Sequence, residues 1–404
     1  MVPGNSSAGV RDLRRIIIHP DFWYPVARSK DLEAGRILGV TFNGDPIALA
    51  RTEAGEAFAL EDRCAHRQVP LHLGVVENGR IKCGYHGWRY DRTGRVCGIP
   101  YLPKDAPRLP RGVRSYPVRE AYGLVFVFPG EPRLSERVAL PLLPGYDSPE
   151  HVTLHYSRRI RCHYTFMHEN LMDMNHQFLH RRVMGFVKPV LLNYCRGDTW
   201  AEARYRFERV PTAKYLIGAD FMIRGGQDTK PVLAEDSEED RHQLMTVRTE
   251  YPYQRLAVQV GRSELAAFDL WAAYVPLDRE QKYNQSFGIL MIRKPRRRGL
   301  IYLLLPFIRY FTLAVFREDQ MIVEAEQRAW DEQGADRNTE VFPAILALRD
   351  VLARNGIPLD ASAARPAPDV PAMRQPVPSP ADMARPISER DARDAESVVN
   401  SQMD

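Results

Sequence analysis

The sequence predicts an α+β protein in which a small all-β domain precedes an antiparallel sheet with helices. Residues 22–129 alternate short β-branched and aromatic runs with turns such as Asn43-Gly44-Asp45, which is typical of short strands. From about residue 150 the strand-like runs are longer and flank a helical segment. They cover residues 194–210, 244–261 and 268–275. With 404 residues and 44% hydrophobic side chains, the chain is long enough to bury two sizeable cores.

Changes in composition along the chain predict its segments. Proline-rich stretches near 100–110 and 129–144 punctuate the first half, and the second of them indicates a connection between domains. Residues 227–242 are rich in Asp and Glu and predict an exposed loop. The predicted segments are an arm at 1–20, an all-β domain at 21–130, a connection at 131–150, a second domain at 151–360 and a mobile tail at 361–404.

Charge and cysteine content narrow the range of partners and locations. The net charge of +5 arises from 56 basic and 51 acidic side chains, which is too balanced to indicate nucleic-acid binding but suits an acidic redox partner. Five cysteines are an odd number, and no secretory signal pattern precedes the first domain. We therefore predict a cytoplasmic protein in which Cys97, Cys162 and Cys195 are reduced thiols.

The most specific motif joins Cys64 and His66 to Cys83 and His86, a C-x-H pair followed by a C-x-x-H pair. Two thiolates and two imidazoles are the ligands of a Rieske [2Fe–2S] cluster, in which both cysteines bind one iron and both histidines bind the other. A zinc site uses the same ligand types, but zinc fingers group their cysteines and then their histidines. The mixed pairs therefore favour the cluster.

His176 and His180 are candidates for a second metal site. Histidines four apart lie on one face of an α-helix, so both imidazoles can bind one ion, and a remote carboxylate completes the 2-His-1-carboxylate site of Fe(II) oxygenases. Asp173 lies on the same side of this predicted helix. Helix histidines also occur as hydrogen-bonded core residues, and the residues alone leave that alternative open. His163 and His168 are reserve ligands.

Residues 293–316 join a basic run at 293–298 to an apolar stretch at 300–316. The stretch is short for a membrane span and is interrupted by Pro306 and Arg309, so we do not predict a transmembrane helix. Two interpretations remain open. One is a buried helix that lines a substrate pocket, and the other is a peripheral membrane contact in which the arginines meet anionic headgroups.

Together these motifs resemble the catalytic component of the Rieske non-haem iron oxygenases. The two Cys/His pairs match the cluster-binding pattern of that family residue by residue. Its iron-binding helix carries an Asn, an Asp and two histidines, which correspond here to Asn170, Asp173, His176 and His180. The family commonly has four residues between the two histidines, whereas this chain has three. The shorter spacing suits an ideal α-helix, so His180 is kept as a ligand.

The resemblance also supplies the third iron ligand. Family members carry an Asp followed five residues later by a Glu on a helix, as in Asp319 and Glu324, and Asp319 is the predicted ligand. Glu318 and Glu324 are expected to be solvated or to contact the iron ligands without binding the iron themselves. Acidic residues are common at helix starts, so without the resemblance the sequence would not select Asp319.

The resemblance implies an enzyme that uses O₂ to hydroxylate an apolar aromatic or alicyclic substrate, with the C-terminal sheet closed around a helix in a helix-grip arrangement. A ferredoxin or flavin reductase would pass electrons from NAD(P)H to the cluster. They would then cross through His86 and Asp173 of adjoining subunits to a mononuclear Fe(II), which predicts a homotrimer.

The sequence specifies the reaction and the substrate less closely than it specifies the cofactors. Oxidative O- or N-demethylation is an alternative that uses the same iron, and a Rieske electron-transfer protein with a vestigial second site is an alternative from another class. Four aromatic residues are candidates for lining an apolar pocket, although each also suits ordinary core packing. They are Phe166, Phe178, Phe186 and Tyr215.

Overall fold

The structure is a computed structural model. It describes residues 12–100, 102, 112–185, 187–209, 244–259, 265–295 and 299–359. Several predictions made from the sequence fall outside the described residues: the first part of the arm, the acidic loop at 227–242, the tail at 361–404, Phe186 and Tyr215.

Short strands dominate the first third of the chain, as the alternation of apolar runs and turns predicts. They are β1 Ile16–Ile17, β2 Tyr24–Arg28, β3 Ile37–Phe42, β4 Asp45–Arg51, β5 Ala57–Glu61, β6 Val75–Glu77, β7 Arg80–Lys82, β8 Arg89–Tyr90, β9 Val96–Gly98, β10 Ser115–Tyr116, β11 Val118–Ala121 and β12 Leu124–Val127. Eleven of them form three sheets, in the orders β10-β5-β4-β3, β11-β12-β2 and β6-β7-β8-β9.

Strand β4 separates two hydrophobic cores. Its side chains alternate between two faces, and both faces are buried. Ile47 and Leu49 belong to the large core that extends into the second half of the chain. Ala48 and Ala50 belong to a smaller core that contains Cys64 and Cys83. The two cysteines are therefore held in an apolar layer of their own.

The second half of the chain forms a seven-stranded antiparallel sheet in the order β13-β19-β18-β17-β16-β15-β14. Its strands are β13 His151–Ile160, β14 Val187–Arg196, β15 Trp200–Arg209, β16 Leu244–Glu250, β17 Tyr253–Gln259, β18 Phe268–Pro276 and β19 Asn284–Arg293, and the short β20 Ile357–Pro358 follows near the end. The α-helices are α1 Tyr164–Met172, α2 Leu300–Gln333 and α3 Pro343–Asn355. This arrangement confirms the predicted α+β class.

Two predicted strand runs are each divided in the structure. The run at 194–210 covers the end of β14 and the whole of β15, with a turn between the two strands. Gly197 N–H donates to the Trp200 carbonyl across that turn at 2.9 Å. The run at 244–261 is the hairpin β16–β17, which bends at Tyr251-Pro252 because proline cannot continue the ladder.

The predicted single helix from Glu169 to His180 is wrong in one respect. Helix α1 ends at Met172, and after Asp173 the chain continues as a 3₁₀-helix, Met174–Arg182. The Asp173 backbone is extended at φ −87° and ψ 93°, and its side chain accepts a hydrogen bond from Asn175 N–H. A short acidic side chain caps the new helix in this way, which explains why the α-helix stops here.

The end of the predicted N-terminal arm packs on the second half of the chain. Strand β1 pairs with β20, and the buried Arg14 guanidinium contacts Glu169 on α1 at 2.5 Å. Arg349 on α3 contacts the other oxygen of Glu169 at 2.6 Å and also pairs with Asp336. The arm and α3 therefore hold α1 through a network of buried charges.

Helix α2 is half-buried or exposed along most of its length. Its N-terminal turns present Tyr302, Leu303, Leu304, Phe307 and Tyr310 to solvent, so the interpretation as a fully buried helix is wrong for this part. Phe316, further along, packs edge-on against Tyr156 of the sheet. None of the helices in the described part of the chain is both long and apolar enough to cross a membrane.

Candidate metal centres

The four predicted cluster ligands lie on two neighbouring loops. Cys64 N–H donates to the Val69 carbonyl at 2.9 Å, and Cys83 N–H donates to the Trp88 carbonyl at 2.8 Å, so each loop is closed like a hairpin. The two loops touch at Gly84, where a Cβ atom would lie 2.7 Å from the Leu73 carbonyl oxygen. Only glycine permits this approach.

The ligands differ sharply in exposure. Cys64 and Cys83 are buried and unpaired by any disulfide, and burial raises the pKa of the Cys83 thiol. His66 and His86 are exposed, with ring centroids 4.5 Å apart, and the His66 ring stacks on Trp88 at 4.9 Å. Buried sulfurs beneath surface imidazoles suit a cluster with one sulfur-bound iron inside and one histidine-bound iron at the surface.

Tyr90 is a residue that the sequence interpretation missed. Its hydroxyl oxygen accepts from Ala65 N–H at 3.0 Å and lies 3.1 Å from Cys64 Sγ, so the hydroxyl can donate to that sulfur when it is a thiolate ligand. A hydrogen bond to a ligand sulfur stabilises the reduced cluster and raises its potential. The available signal was the alternation in Arg89–Tyr90, which places Tyr90 on the buried face of β8.

His176 and His180 lie on the 3₁₀-helix after Asp173. Residues four apart on such a helix are about 120° apart around its axis, so helix geometry alone does not bring them together. Their ring centroids are nevertheless 5.1 Å apart, with the rings at 84° to each other. They converge because both turn toward Asp319 on α2.

Asp319 approaches both imidazoles from a distant part of the chain. Its Oδ1 atom is 3.2 Å from His180 Nε2 and 3.7 Å from His176 Nε2. Among the described residues, this trio alone brings three such ligand atoms within 4.8 Å of one another. Asp319 lies in the middle of the 34-residue helix α2, so the preference of acidic residues for helix starts does not explain its position.

Hydrogen bonds at the other ring nitrogens fix the two histidine tautomers. His180 Nδ1 is 2.8 Å from Glu318 Oε2, and His176 Nδ1 contacts the Asp173 carbonyl. A carbonyl or carboxylate oxygen only accepts, so each Nδ1 carries the proton and each Nε2 offers its lone pair. Metal-binding histidines are commonly oriented in this way.

The nitrogen and oxygen atoms that face each other are left without other partners. His180 Nε2 and Asp319 Oδ1 are both buried, and neither makes a hydrogen bond of acceptable geometry. Burial lowers the pKa of His180, but the Asp319 and Glu318 carboxylates outweigh it and raise that pKa to about 9. A centre that attracts a proton so strongly also attracts a cation, so the donor set fits a metal ion such as Fe(II).

A cavity opens beside this trio. Asp319, Asn170 and Arg158 contribute polar groups to its lining, as do Ser157 and Ser286, while most of the remaining lining is apolar and comes from α1, α2 and the sheet. The apolar lining includes Met167, Leu171, Leu270, Phe287 and Phe316. This combination of an apolar wall and a few polar groups is typical of a small-molecule site.

The remaining residues that the sequence suggested for the pocket or the iron site lie elsewhere. Phe166 is buried under the Arg14 guanidinium and Phe178 is exposed beside Arg181, so the expectation that they line a pocket is wrong. The reserve ligands His163 and His168 are buried away from the trio. Glu324 accepts a hydrogen bond from Arg161 N–H at 3.1 Å and holds α2 against the sheet.

Comparison with known proteins decides the family. The profile of the Rieske [2Fe-2S] domain matches residues 22–117, and that of the vanillate O-demethylase oxygenase C-terminal domain matches residues 160–354. The chain is 30% identical over 353 residues to the 4beta-methylsterol monooxygenase of Methylococcus capsulatus, covering 83% of this chain and 88% of that one. It belongs to the Rieske oxygenases.

Other relatives agree with this assignment. The Rieske oxygenase is 35% identical over 296 residues to a vanillate O-demethylase oxygenase subunit of Pseudomonas, covering 68% of this chain and 83% of the relative. Its fold matches the crystal structure of dicamba monooxygenase bound to dicamba with a TM-score of 0.66, at 22% identity over 84% of this chain and 98% of that one. The zinc interpretation of the Cys/His motif is thereby excluded.

The assignment gives the cofactors of the enzyme. A Rieske oxygenase carries a [2Fe–2S] cluster and a mononuclear iron, and both centres have a fitting set of side chains in this chain. The relatives are named as oxygenase subunits or components, so electrons reach the enzyme from a separate protein.

Metal analysis tests both ligand sets together. Anaerobically purified enzyme should contain about three irons and about two acid-labile sulfides per chain. His176→Ala, His180→Ala or Asp319→Ala should each lose about one iron and keep the sulfide, because only the mononuclear site is damaged. Cys64→Ser should lose the sulfide instead. Two irons in both the wild type and His176→Ala would show that the trio binds no iron.

The hydrogen bond from His180 to Glu318 gives a second prediction. Glu318→Ala should weaken Fe(II) binding by about tenfold to a hundredfold, because the imidazole loses the group that orients it. Glu318→Gln keeps an acceptor oxygen and should restore part of the affinity. Glu332→Ala, at an exposed position of the same helix, is the matched control and should bind Fe(II) as the wild type does. Fe(II) titration of the apoprotein measures all three, and equal affinities would refute the orienting role.

Proposed function

We propose that this Rieske oxygenase hydroxylates an apolar alicyclic or aromatic substrate, with His176, His180 and Asp319 holding the mononuclear iron. The supporting observation is that Asp319 belongs to the ligand trio and also lines the apolar cavity. When bound there, Fe(II) supplies open coordination positions at which O₂ can be activated. One relative that matches most of both chains is a 4beta-methylsterol monooxygenase, which favours an alicyclic substrate.

The residues of the cavity have separable tasks. Leu171, Leu270 and Phe316 exclude water and hold apolar substrate surface beside the iron ligands. Asn170, one turn before the break at Asp173, presents an amide to the same cavity and can orient a polar group of the substrate. Tyr274 also lines it, but its hydroxyl already donates to Gln254 at 3.1 Å.

Oxidative demethylation is the second candidate. It is favoured by the match of residues 160–354 to the C-terminal domain of vanillate O-demethylase oxygenase. Both reactions insert one oxygen atom into a C–H bond, and the second oxygen atom leaves as water after taking up two electrons and two protons. In a demethylation the hydroxylated methyl group then leaves as formaldehyde, so the products distinguish the two.

The electron path is part of the proposal. His66 and His86 are exposed on the single chain, and the apolar side chains of Leu73, Val75 and Tyr85 are exposed near them. Such a patch around a redox centre supports contact with another protein surface. We infer that a ferredoxin or flavin reductase delivers electrons from NAD(P)H to this face. We also infer that the face meets Asp173 of an adjoining subunit in a homotrimer located in the cytoplasm.

A single-turnover experiment tests the reaction. Enzyme with a chemically reduced cluster is mixed with ¹⁸O₂ and a panel of methylsterols and methoxybenzoates. We expect a product with about one ¹⁸O atom and oxidation of the cluster that depends on substrate. His176→Ala keeps its cluster and should form no product. Cluster oxidation that is independent of every substrate, with no product, would favour the electron-transfer alternative.

The bridging role of Asp173 gives a further prediction. Asp173→Asn should lower turnover by about a hundredfold or more, because electron transfer depends on a well-placed contact between subunits. Asparagine can still cap the 3₁₀-helix, so His176 and the iron content should be unchanged. Glu208→Gln, at a surface carboxylate of β15, is the control. Normal turnover of Asp173→Asn with both metals bound would refute the bridging role.

A further inference from the structure

The first turns of α2 expose an apolar stripe that the oxygenase function does not use. Leu303 is 79% exposed, and Phe307 and Tyr310 are each 51% exposed. These three residues lie within about 60° of one another around the helix axis, with Tyr302 and Leu304 on either side. Contiguous apolar surface of this kind marks an interaction site, so a partner is expected to cover the stripe.

The stripe ends abruptly along the helix. After Phe316 the sequence continues as Arg317-Glu318-Asp319, and the exposed positions of later turns are mainly polar or charged. The apolar surface is therefore confined to the end of α2 that lies furthest from the ligand trio. Leu303 and Phe316 are separated by about 20 Å along the helix, at 1.5 Å per residue.

Positive charge flanks the stripe without any acidic residue. Between Glu280 and Glu318 the chain contains no Asp or Glu. Strand β19 ends at Arg293, Lys294 follows it, and Arg296, Arg297 and Arg298 come directly before Gly299 in the sequence. The last three lie outside the described residues; among the described ones, Arg309 and Arg317 lie on α2 itself.

The positive charge beside the stripe favours an anionic membrane over a second copy of the chain as the partner. Two copies of this surface would bring the same basic residues together and repel each other. An apolar stripe next to a basic run, with tyrosines at its margins, matches a helix that lies in the interface of an anionic membrane. The arginines meet the headgroups and the stripe enters the acyl boundary.

We propose that the N-terminal turns of α2 dock on an anionic lipid surface, with Leu303, Phe307 and Tyr310 inserted and the positive charge of residues 281–317 attracting the headgroups. The middle of the helix reaches the cavity through Phe316 and Asp319. A substrate dissolved in the membrane would then be within one helix length of the iron ligands. This last consequence rests on the proposed oxygenase function, whereas the docking itself does not.

Vesicle flotation of the intact enzyme tests the docking. Wild-type enzyme should float with phosphatidylcholine vesicles that contain phosphatidylglycerol, and less with phosphatidylcholine alone or at high salt. Leu303→Glu/Phe307→Glu and Arg296→Glu/Arg297→Glu/Arg298→Glu should each partition about tenfold more weakly or worse. Leu346→Glu, at an exposed apolar position of α3, is the matched control and should float like the wild type.

Independent readouts separate docking from folding and catalysis. All variants should keep the visible spectrum of the cluster and the iron content of the wild type, since the substituted positions are exposed or lie outside the metal sites. Wild-type enzyme that does not float, or a Leu303→Glu/Phe307→Glu variant that floats normally, would overturn the proposal. If that variant changes the oligomeric state but not flotation, the stripe is instead a contact between copies.

Discussion

The second half of the structure is organised around two buried atoms, His180 Nε2 and Asp319 Oδ1, that face each other at 3.2 Å without a hydrogen bond. An unpartnered buried polar atom costs about 1–3 kcal/mol, so a fold retains such a pair only when another interaction compensates for it. A metal ion bound to both atoms and to His176 Nε2, as proposed above, would provide that compensation. The helices around the pair then have to hold three ligands from two distant segments at one point.

On the C-terminal side of Asp319, helix α2 is held by contacts with the end of β13 and the start of α1. Val323 packs with Ile160, Cys162 and Phe166, and Gln327 accepts a hydrogen bond from His163 N–H at 2.7 Å. These contacts set the rotation of α2 about its axis. The rotation decides that Asp319 faces the imidazoles, while Glu318 reaches around to His180 Nδ1.

The positions of His176 and His180, the other two proposed ligands, depend on the break between the two helices at Asp173. Helix α1 is held from outside by Glu169, which pairs with Arg14 of the arm and Arg349 of α3. Because α1 cannot shift, the change to a 3₁₀-helix after Met172 has a defined starting point. The Asp173 carbonyl then orients His176. The same residue thus ends one helix, caps the next and aligns an iron ligand.

The sequence alone determined the features that depend on local chemistry. Cys64, His66, Cys83 and His86 lie on short loops closed by their own hydrogen bonds, so their spacing was sufficient to recognise a cluster site. The α+β class followed from strand periodicity in the same way, because alternation reports directly which side chains are buried. Resemblance to the family added Asp319, which neither spacing nor composition could select.

Only the tertiary structure decided the features that depend on packing between distant segments. The spacing of the histidines predicted an α-helix through His180. The structure has a 3₁₀-helix there instead, which Asp173 caps and in which His176 faces Asp319. The roles of Tyr90 and Glu318 became visible only where β8 and α2 place them against a ligand. The exposure of Leu303 likewise depends on which side of α2 the sheet covers, and sequence periodicity cannot specify that choice.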